Sequence, residues 1–194
     1  MHLRPITPDD RDRLAQAFTL LSPRSRYLRF HHPLSQLSDE HLRYLTEVDG
    51  RDHAALVAED ADRPEHPGIA VARYIRIDDE PEVAEAAITV IDEYQGRGVG
   101  TLMLRHLARV AGRNGVHHLR NYVLADNRPM LDALDAVGGQ RHDEGGGVYR
   151  IDVPLPPEVE VVPRSPAREA LRAAAVGRLR VLLETVLPAR PPET

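Results

Sequence analysis

A glycine-rich segment follows an apolar run and precedes a stretch with helical spacing, and its glycines stand at alternate positions, Gly96, Gly98 and Gly100. The first N–H groups of a helix have no partner inside the helix, and the helix dipole favours negative charge there. Because glycine lets the backbone approach a ligand closely, this turn is a candidate binding site for a phosphate group.

Three nucleotide-binding patterns use such a turn, and the residues separate them. A P-loop needs a Lys directly before the Ser or Thr, but Gly100 precedes Thr101. A dinucleotide-binding fingerprint needs Gly where Thr101 stands, and it opens a βαβ unit, whereas half the chain precedes this turn. The third pattern, Gln or Arg followed by x-x-G-x-G/A, matches from Gln95 to Gly100 at every defined position. A plain strand–turn–helix connection is the remaining alternative.

Two further polar residues stand where they can take part in chemistry. Glu85 lies in an otherwise apolar strand-like run, ten residues before Gln95. A carboxylate there either faces solvent or serves chemistry, such as taking a proton from an amine, and Glu82 and Glu80 are the alternatives for that role. Asn127 begins a helical segment, where its side chain either caps the helix or reaches a ligand, and an amide has enough donors and acceptors for both.

The elements that must position these residues alternate between helix and strand patterns. Apolar spacing predicts helices at 8–21, 22–30, 38–48, 99–112 and 127–139, and strands at 2–7, 53–60, 68–78, 82–91, 117–125 and 147–155. The segment DEGGG at 143–147 is predicted to be a hairpin turn before the last strand. The arginine-rich helix at 22–30 is either a surface helix or one wall of an acceptor groove.

The sequence pattern of the chain changes after residue 155. Residues 1–155 are predicted to form one domain, 156–165 a proline-rich linker, 166–188 an amphipathic helix and 189–194 a tail. The apolar face of that helix is costly to leave in water. We therefore expect it to pack onto the domain or onto a second copy of the chain, which would make a homodimer.

Composition excludes several classes of function. The chain has 194 residues, a net charge of −5 and no cysteine. It therefore has no overall attraction to nucleic acid or anionic lipid, no disulfide and no cysteine nucleophile. The histidine pairs lack metal-ligand spacing, and no apolar run approaches the roughly 20 residues of a membrane span. We expect a cytoplasmic protein that needs no metal, membrane or nucleic acid.

The segment from Gln95 to Gly100, with its neighbouring strands and helices, resembles motif A of the Gcn5-related N-acetyltransferase (GNAT) superfamily. The resemblance implies an α+β, three-layer GNAT fold, in which helices flank a central mixed, mostly antiparallel sheet. It implies acetyl-CoA as the acyl donor and a primary amine as the acceptor. It assigns to the coenzyme Ile88, Thr89, Val90, Gln95, Gly96, Arg97, Gly98, Val99, Gly100, Thr101 and Asn127, with the N–H near Val90 as oxyanion donor.

A closer resemblance covers residues 2–152 and rests on LSPRSRYLRFHHP, LTEVDGRDHAALVAE, VAEAAITVIDEYQGRGVG and NRPMLDAL. These segments look like the acetyltransferase domain of bacterial Pat-type protein lysine acetyltransferases. That likeness implies direct transfer to a protein lysine, with Glu85 as general base. A small-molecule amine acceptor and a catalytically weak acyl-CoA-binding module are the alternatives.

The chain departs from the wider family pattern at one position. Many members carry a Tyr seven residues after the helix-leading Asn, as the acid that protonates the departing thiolate, and here that position is Leu134. The proton would then come from Tyr122, Tyr149 or water, or none is needed because a thiolate is a fair leaving group.

Overall fold

The computed structural model describes residues 1–155. The predicted linker at 156–165, helix at 166–188 and tail at 189–194 lie outside the described residues. The description below therefore concerns the predicted domain alone.

Within residues 1–155 the strands are β1 (His2–Pro5), β2 (His53–Glu59), β3 (Ala70–Ile77), β4 (Glu80–Val90), β5 (His118–Leu124), β6 (Gln140–Gly145) and β7 (Val148–Pro154). The α-helices are α1 (Arg11–Thr19), α2 (Pro23–Phe30), α3 (Asp39–Thr46), α4 (Val99–Arg113) and α5 (Arg128–Asp135). Short 3-10 helices cover Pro8–Asp10 and Asp92–Tyr94.

All strands belong to one sheet, in the order β1-β2-β3-β4-β5-β7-β6. Every neighbouring pair is antiparallel except β4 and β5, which are parallel. Helix α4 connects these two strands, as a parallel crossover requires. The predicted mixed, mostly antiparallel sheet is confirmed.

The strands β4 and β5 separate after a short contact. Their pairing covers only Val83 to Glu85 on β4, opposite His118 to Arg120 on β5. Beyond it, β4 continues along β3 as far as Val90, and β5 continues along β7. A wedge therefore opens in the middle of the sheet.

Helices cover both faces of the sheet and make three layers. Successive strand residues face opposite sides, so Thr89 points to the layer of α1, α2 and α3, whereas Val90 points to α4. The apolar face of α4 buries Met103 and Leu107 completely. In the part of the chain that the structure describes, no helix is long and apolar enough to span a bilayer.

Three predicted boundaries were wrong for local reasons. The helix predicted at 127–139 ends at Asp135, and a turn follows in which the N–H of Gly139 donates to the carbonyl of Leu134 at 3.0 Å.

The hairpin turn predicted at 143–147 is confirmed at 146–147, but Asp143 and Glu144 belong to β6, whose six residues are all exposed and so lack the alternation that marks a strand. The predicted helix at 8–21 begins as a 3-10 turn, because Asp10 accepts the N–H of Thr7 at 2.8 Å and fixes a separate first turn.

Candidate active site

The wedge between β4 and β5 encloses a cavity of about 340 Å³. Its walls are the second half of β4, the second half of β5, the last turn of α2 and the first residues of α5. Glu85 and Asn127, predicted from separate parts of the sequence, both line it. The fold therefore brings together residues that are far apart in the chain.

The β4 edge of the wedge presents backbone N–H groups. The N–H of Ile91 donates to the carbonyl of Ile69 on the β3 side, at 3.0 Å. Because alternate residues direct their backbone groups to opposite edges, the N–H groups of Ile88 and Val90 point into the wedge. Thr89 is placed differently, since its backbone faces β3 and its side chain lies under the helices. Of the three residues predicted on this strand, two therefore offer backbone groups to the wedge.

The glycine loop has the backbone conformation that its composition predicts. Gly96 and Gly98 have φ angles of 71° and 78°, and a Cβ on either would meet no atom within 4 Å. Their constraint is therefore backbone conformation, which disfavours any residue with a side chain. Gly100 lies against the strand, because its Cβ position is 3.7 Å from Cγ2 of Val90.

The start of α4 offers unpaired donors beside this loop. Gly98 is the N-cap, no side chain caps the helix, and the first intrahelical bond runs from the N–H of Leu102 to the carbonyl of Gly98, at 3.1 Å. The N–H groups of Val99, Gly100 and Thr101 therefore point out of the helix end. These donors, at the positive end of a 15-residue helix, fit an anion such as a pyrophosphate.

The side chains of Gln95 and Arg97 in the glycine loop have different surroundings. The Gln95 amide donates to the carbonyl of Val90 at 2.9 Å and to Oγ of Ser25 at 3.1 Å, so it braces the loop from within. The Arg97 guanidinium lies 5.1 Å above the centre of the Tyr94 ring and is exposed. Arg97 can therefore reach an anion outside the loop, whereas the amide of Gln95 is already committed.

Asp92 ties the glycine loop to helix α2. Its carboxylate accepts the N–H and Oγ–H of Ser22, at 2.9 and 2.7 Å, and the Oγ–H of Ser25, at 3.0 Å. Burial acts to raise the pKa of Asp92, but these hydrogen bonds outweigh it and hold the pKa below its usual range. Ser22 is also the N-cap of α2.

Glu85 lies at the inner end of the wedge. It pairs with Ile75 on β3 and, in register, stands beside Arg120 on β5. Its side chain is exposed to the wedge, and within residues 1–155 it forms neither a hydrogen bond nor an ion pair. A free carboxylate at this position is available to accept a proton from a substrate.

The last turn of α2 faces Glu85 across the wedge. Arg29 and His31 line the cavity, so the arginine-rich helix is a wall of the groove, one of the two alternatives that its sequence left open. His31 ends the helix with a φ of 57°, a conformation uncommon for a residue other than glycine. Burial lowers the pKa of His31, the charge of Arg29 lowers it further, and Glu85 opposes both.

In the sequence, His31 belongs to a histidine pair without metal-ligand spacing, and Arg29 is one of several arginines in its helix with no pattern that singles it out. Within residues 1–155, no group of three metal-ligating side chains lies close enough to hold an ion. The one signal of a role for this turn was the interleaving of arginines with aromatic residues.

On the opposite wall, Asn127 begins α5 but does not cap it. Its side chain forms no cap bond, whereas its carbonyl accepts the N–H of Met130 at 3.1 Å. Leu134, where the wider family has Tyr, is fully buried in the core. Tyr122 lines the wedge and is 40% exposed, so it, and not position 134, has a hydroxyl near the cavity.

Comparison with known proteins identifies the family that shares this arrangement. Residues 1–140 match the acetyltransferase (GNAT) domain. The chain belongs to the GNAT acetyltransferases. It is 35% identical over 141 residues to acetyltransferase PA5475 of Pseudomonas aeruginosa, covering 72% of this chain and 75% of that protein. It is also 35% identical over 165 residues to acetyltransferase Pat of Mycolicibacterium smegmatis, covering 85% of this chain and 48% of that protein.

Solved structures of GNAT acetyltransferases share the fold. The GNAT domain of S. lividans PAT superposes with a TM-score of 0.73 at 32% identity, covering 79% of this chain and 89% of that one. The cAMP-binding acyltransferase from Mycobacterium smegmatis superposes with a TM-score of 0.57 at 33% identity, covering 90% of this chain and 49% of that one. The chain spans about half the length of the two mycobacterial relatives. The likeness to Pat-type acetyltransferases is confirmed.

Proposed function

We propose that this acetyltransferase moves the acetyl group of acetyl-CoA to the primary amine of a protein lysine by direct transfer, with Glu85 as general base. One observation carries the proposal. The glycine loop and the start of α4 follow the end of β4, and Glu85, a carboxylate without a hydrogen bond or ion pair within residues 1–155, lines the wedge further back on the same strand. A long, thin donor can lie between them.

The donor end supports a coenzyme with a pyrophosphate. The N–H groups of Val99, Gly100 and Thr101 suit the phosphates, and those of Ile88 and Val90 suit the amide groups of an extended pantetheine arm. Asn127 adds a side-chain amide on the opposite wall, and this amide makes no capping hydrogen bond to the backbone of α5. A structure of the same fold, yncA from Salmonella typhimurium, was solved with acetyl-CoA, at a TM-score of 0.62 and 15% identity.

The acceptor end supports chemistry on an amine. A lysine-like amine has a pKa of about 10.4 and is mostly protonated at pH 7, so a base must take a proton before or during attack. In the proposed step the amine nitrogen bonds to the thioester carbonyl carbon, the carbon–sulfur bond breaks, and the amine proton passes to Glu85. In this step the N–H of Val90, which points into the wedge, stabilises the negative charge on the carbonyl oxygen. Water or the Tyr122 hydroxyl returns a proton to the thiolate.

The choice of a protein lysine rests on the similarity to Pat-type acetyltransferases and on access. Glu85 and Tyr122 line the wedge and are both exposed, so a side chain on a large partner can approach them. A small-molecule amine is the alternative acceptor, because it could reach the same two residues as a protein lysine.

The test is acetylation of cell extract with isotope-labelled acetyl-CoA, followed by mass spectrometry, with small amines assayed in parallel by release of free thiol. The sequence contains no lysine, so every labelled acetyl-lysine must come from an acceptor protein. We expect label on protein lysines. Thiol release with small amines, without label on any protein lysine, would show that the acceptor is a small-molecule amine. Binding of acetyl-CoA without transfer to any acceptor would favour a regulatory module and overturn the proposal.

A further inference from the structure

A second cavity adjoins the wedge on the Glu85 face of the sheet. It encloses about 70 Å³ beneath α1, α2 and α3, and apolar side chains form most of its walls. Arg29, Phe30 and Ala87 line both this cavity and the wedge. The inner cavity therefore opens next to the place where the acyl group and the amine would meet.

Two arginines line the inner cavity, and one of them, Arg29, also lines the wedge. Arg73 is only 4% exposed, and its guanidinium contacts two neutral groups, the carbonyl of Leu45 at 2.8 Å and Nε2 of His53 at 3.2 Å. Arg29 is half-buried, with its guanidinium 4.9 Å from the centre of the Phe30 ring. Within residues 1–155, Arg29 forms no hydrogen bond, and neither arginine forms an ion pair with a carboxylate. The nearest opposite charge is that of Glu85, which acts to raise the pKa of Arg29 without a direct contact.

This arrangement costs free energy in the protein without substrate. Burial lowers the pKa of both guanidinium groups, and the charge of Arg29 further lowers the pKa of Arg73, to about 10. Both groups are nevertheless protonated at pH 7, so two like charges share a poorly solvated site. Buried charges are normally paired, because an unpaired charge loses its hydration without compensation. An anion bound between them would supply the missing partner.

We propose that Arg29 and Arg73 form a carboxylate subsite, so that the enzyme favours an acyl donor or an amine acceptor that carries a carboxylate near the transferred group. The guanidinium fork matches a carboxylate better than any neutral group. The apolar walls and small volume of the inner cavity suit a short hydrocarbon chain ending in that carboxylate. The assignment of the wedge to acyl transfer, on which this subsite rests, is the proposed function above.

Two substrates can carry the carboxylate, namely the acyl chain of the donor and the amine acceptor. For the donor, calorimetry compares succinyl-CoA with butyryl-CoA, which has a chain of the same length without the charge. For the acceptor, 6-aminohexanoate is compared with 6-aminohexanamide in the presence of unacylated CoA, so that no reaction occurs. We expect one charged ligand to bind about tenfold or more tightly than its neutral partner, the usual range for a charge-assisted hydrogen bond.

Variants of Arg29 separate recognition from folding. Arg29→Gln should abolish the ratio between charged and neutral ligand, Arg29→Lys should keep part of it, and Arg43→Gln, which removes an exposed charge from α3, should keep all of it. Because Arg29 is unpaired, the thermal midpoint of Arg29→Gln should equal or exceed that of the natural protein.

Equal affinities within both pairs would overturn the carboxylate subsite while leaving acetyl transfer intact. A lower midpoint for Arg29→Gln would overturn the view that Arg29 lacks a partner. Failure of every coenzyme thioester to bind would instead count against the proposed function.

Discussion

The two ends of the wedge are built in different ways. The proposed donor end consists of backbone N–H groups from one continuous segment, the end of β4, the glycine loop and the start of α4. The proposed acceptor end consists of side chains from α2, β3, β4 and β5, which only the folded sheet brings together. Changes of side chain should therefore act mainly at the acceptor end, and changes of backbone conformation mainly at the donor end.

The largest expected effect belongs to the acceptor end. Glu85→Gln keeps the shape of the side chain but removes the base, so turnover at pH 7 should fall by about 10²–10⁴-fold, the usual contribution of general base catalysis. The loss should be smaller at high pH, where more of the amine is already unprotonated. Steady-state rates across pH, together with the affinity for acetyl-CoA, measure both effects.

Glu82→Gln is the matched control, because Glu82 is an exposed carboxylate on the same strand, paired with His117. Its pH profile should match that of the natural protein. A rate for Glu85→Gln that equals the natural rate at every pH would remove Glu85 as the base.

The next effect tests the donor end. Gly98→Ala places a side chain at a φ of 78° and costs about 1–2 kcal/mol in the left-handed region. We expect lower thermal stability and about tenfold weaker binding of acetyl-CoA, because the loop backbone shifts to relieve that strain.

Gly138→Ala makes the same kind of change at a φ of 85°, outside the wedge and also with no atom within 4 Å of the added Cβ. It should lose similar stability and keep its affinity for acetyl-CoA. Equal losses of affinity in the two variants would show that the loop conformation itself plays no part in binding the donor.

Asp92 connects the segment before the glycine loop to helix α2, so Asp92→Asn should affect both ends of the wedge. The change weakens the hydrogen bonds from Ser22 and Ser25. Losing the charged acceptor should lower the free energy of unfolding by about 1–3 kcal/mol. Because α2 carries Arg29 and His31, the KM for the acceptor should rise more than the KM for acetyl-CoA.

Glu93→Gln is its neighbour and control, since Glu93 pairs with the exposed Arg63 at 2.6 Å. Solvent screens an exposed ion pair and leaves it little net stabilisation, so both KM values should change little. A larger rise in the KM for acetyl-CoA than for the acceptor in Asp92→Asn would place Asp92 with the donor end.

The smallest effect is the dependence of stability on pH. Folding lowers the pKa of His31 and His53 below their ordinary value of 6.5, chiefly through burial. The unfolded chain therefore binds more protons below about pH 6.5, and the free energy of unfolding should fall as the pH drops from 7 to 5. Denaturant titrations should show a shallower fall in His31→Asn, because one of the two titrating groups is gone. Asn is the suitable replacement because it tolerates the positive φ of this position. An increase in stability towards pH 5 would contradict this sign.

The same contrast explains what the sequence could predict. The sheet, α4 and the glycine loop follow from local spacing, because the loop is read from consecutive residues such as Gln95 and Gly98. Glu85 was noticed because a carboxylate is unusual inside an apolar strand. The roles proposed for Arg29, Arg73 and His31 depend on how α2 packs against β3 and β4, and no local pattern specifies that. Strand β6 escaped prediction because it has no buried face.

The early separation of β4 from β5 has a consequence for association between copies of the chain. A strand edge left open at the rim of a sheet can pair with the same edge of another molecule and begin aggregation. Here the open stretch from Ala86 to Val90 lies inside the sheet, with β5 diverging alongside it. Another folded chain cannot lay a strand there, but a single thin arm can enter. The fold thus keeps an edge available to a substrate without offering it to its own copies.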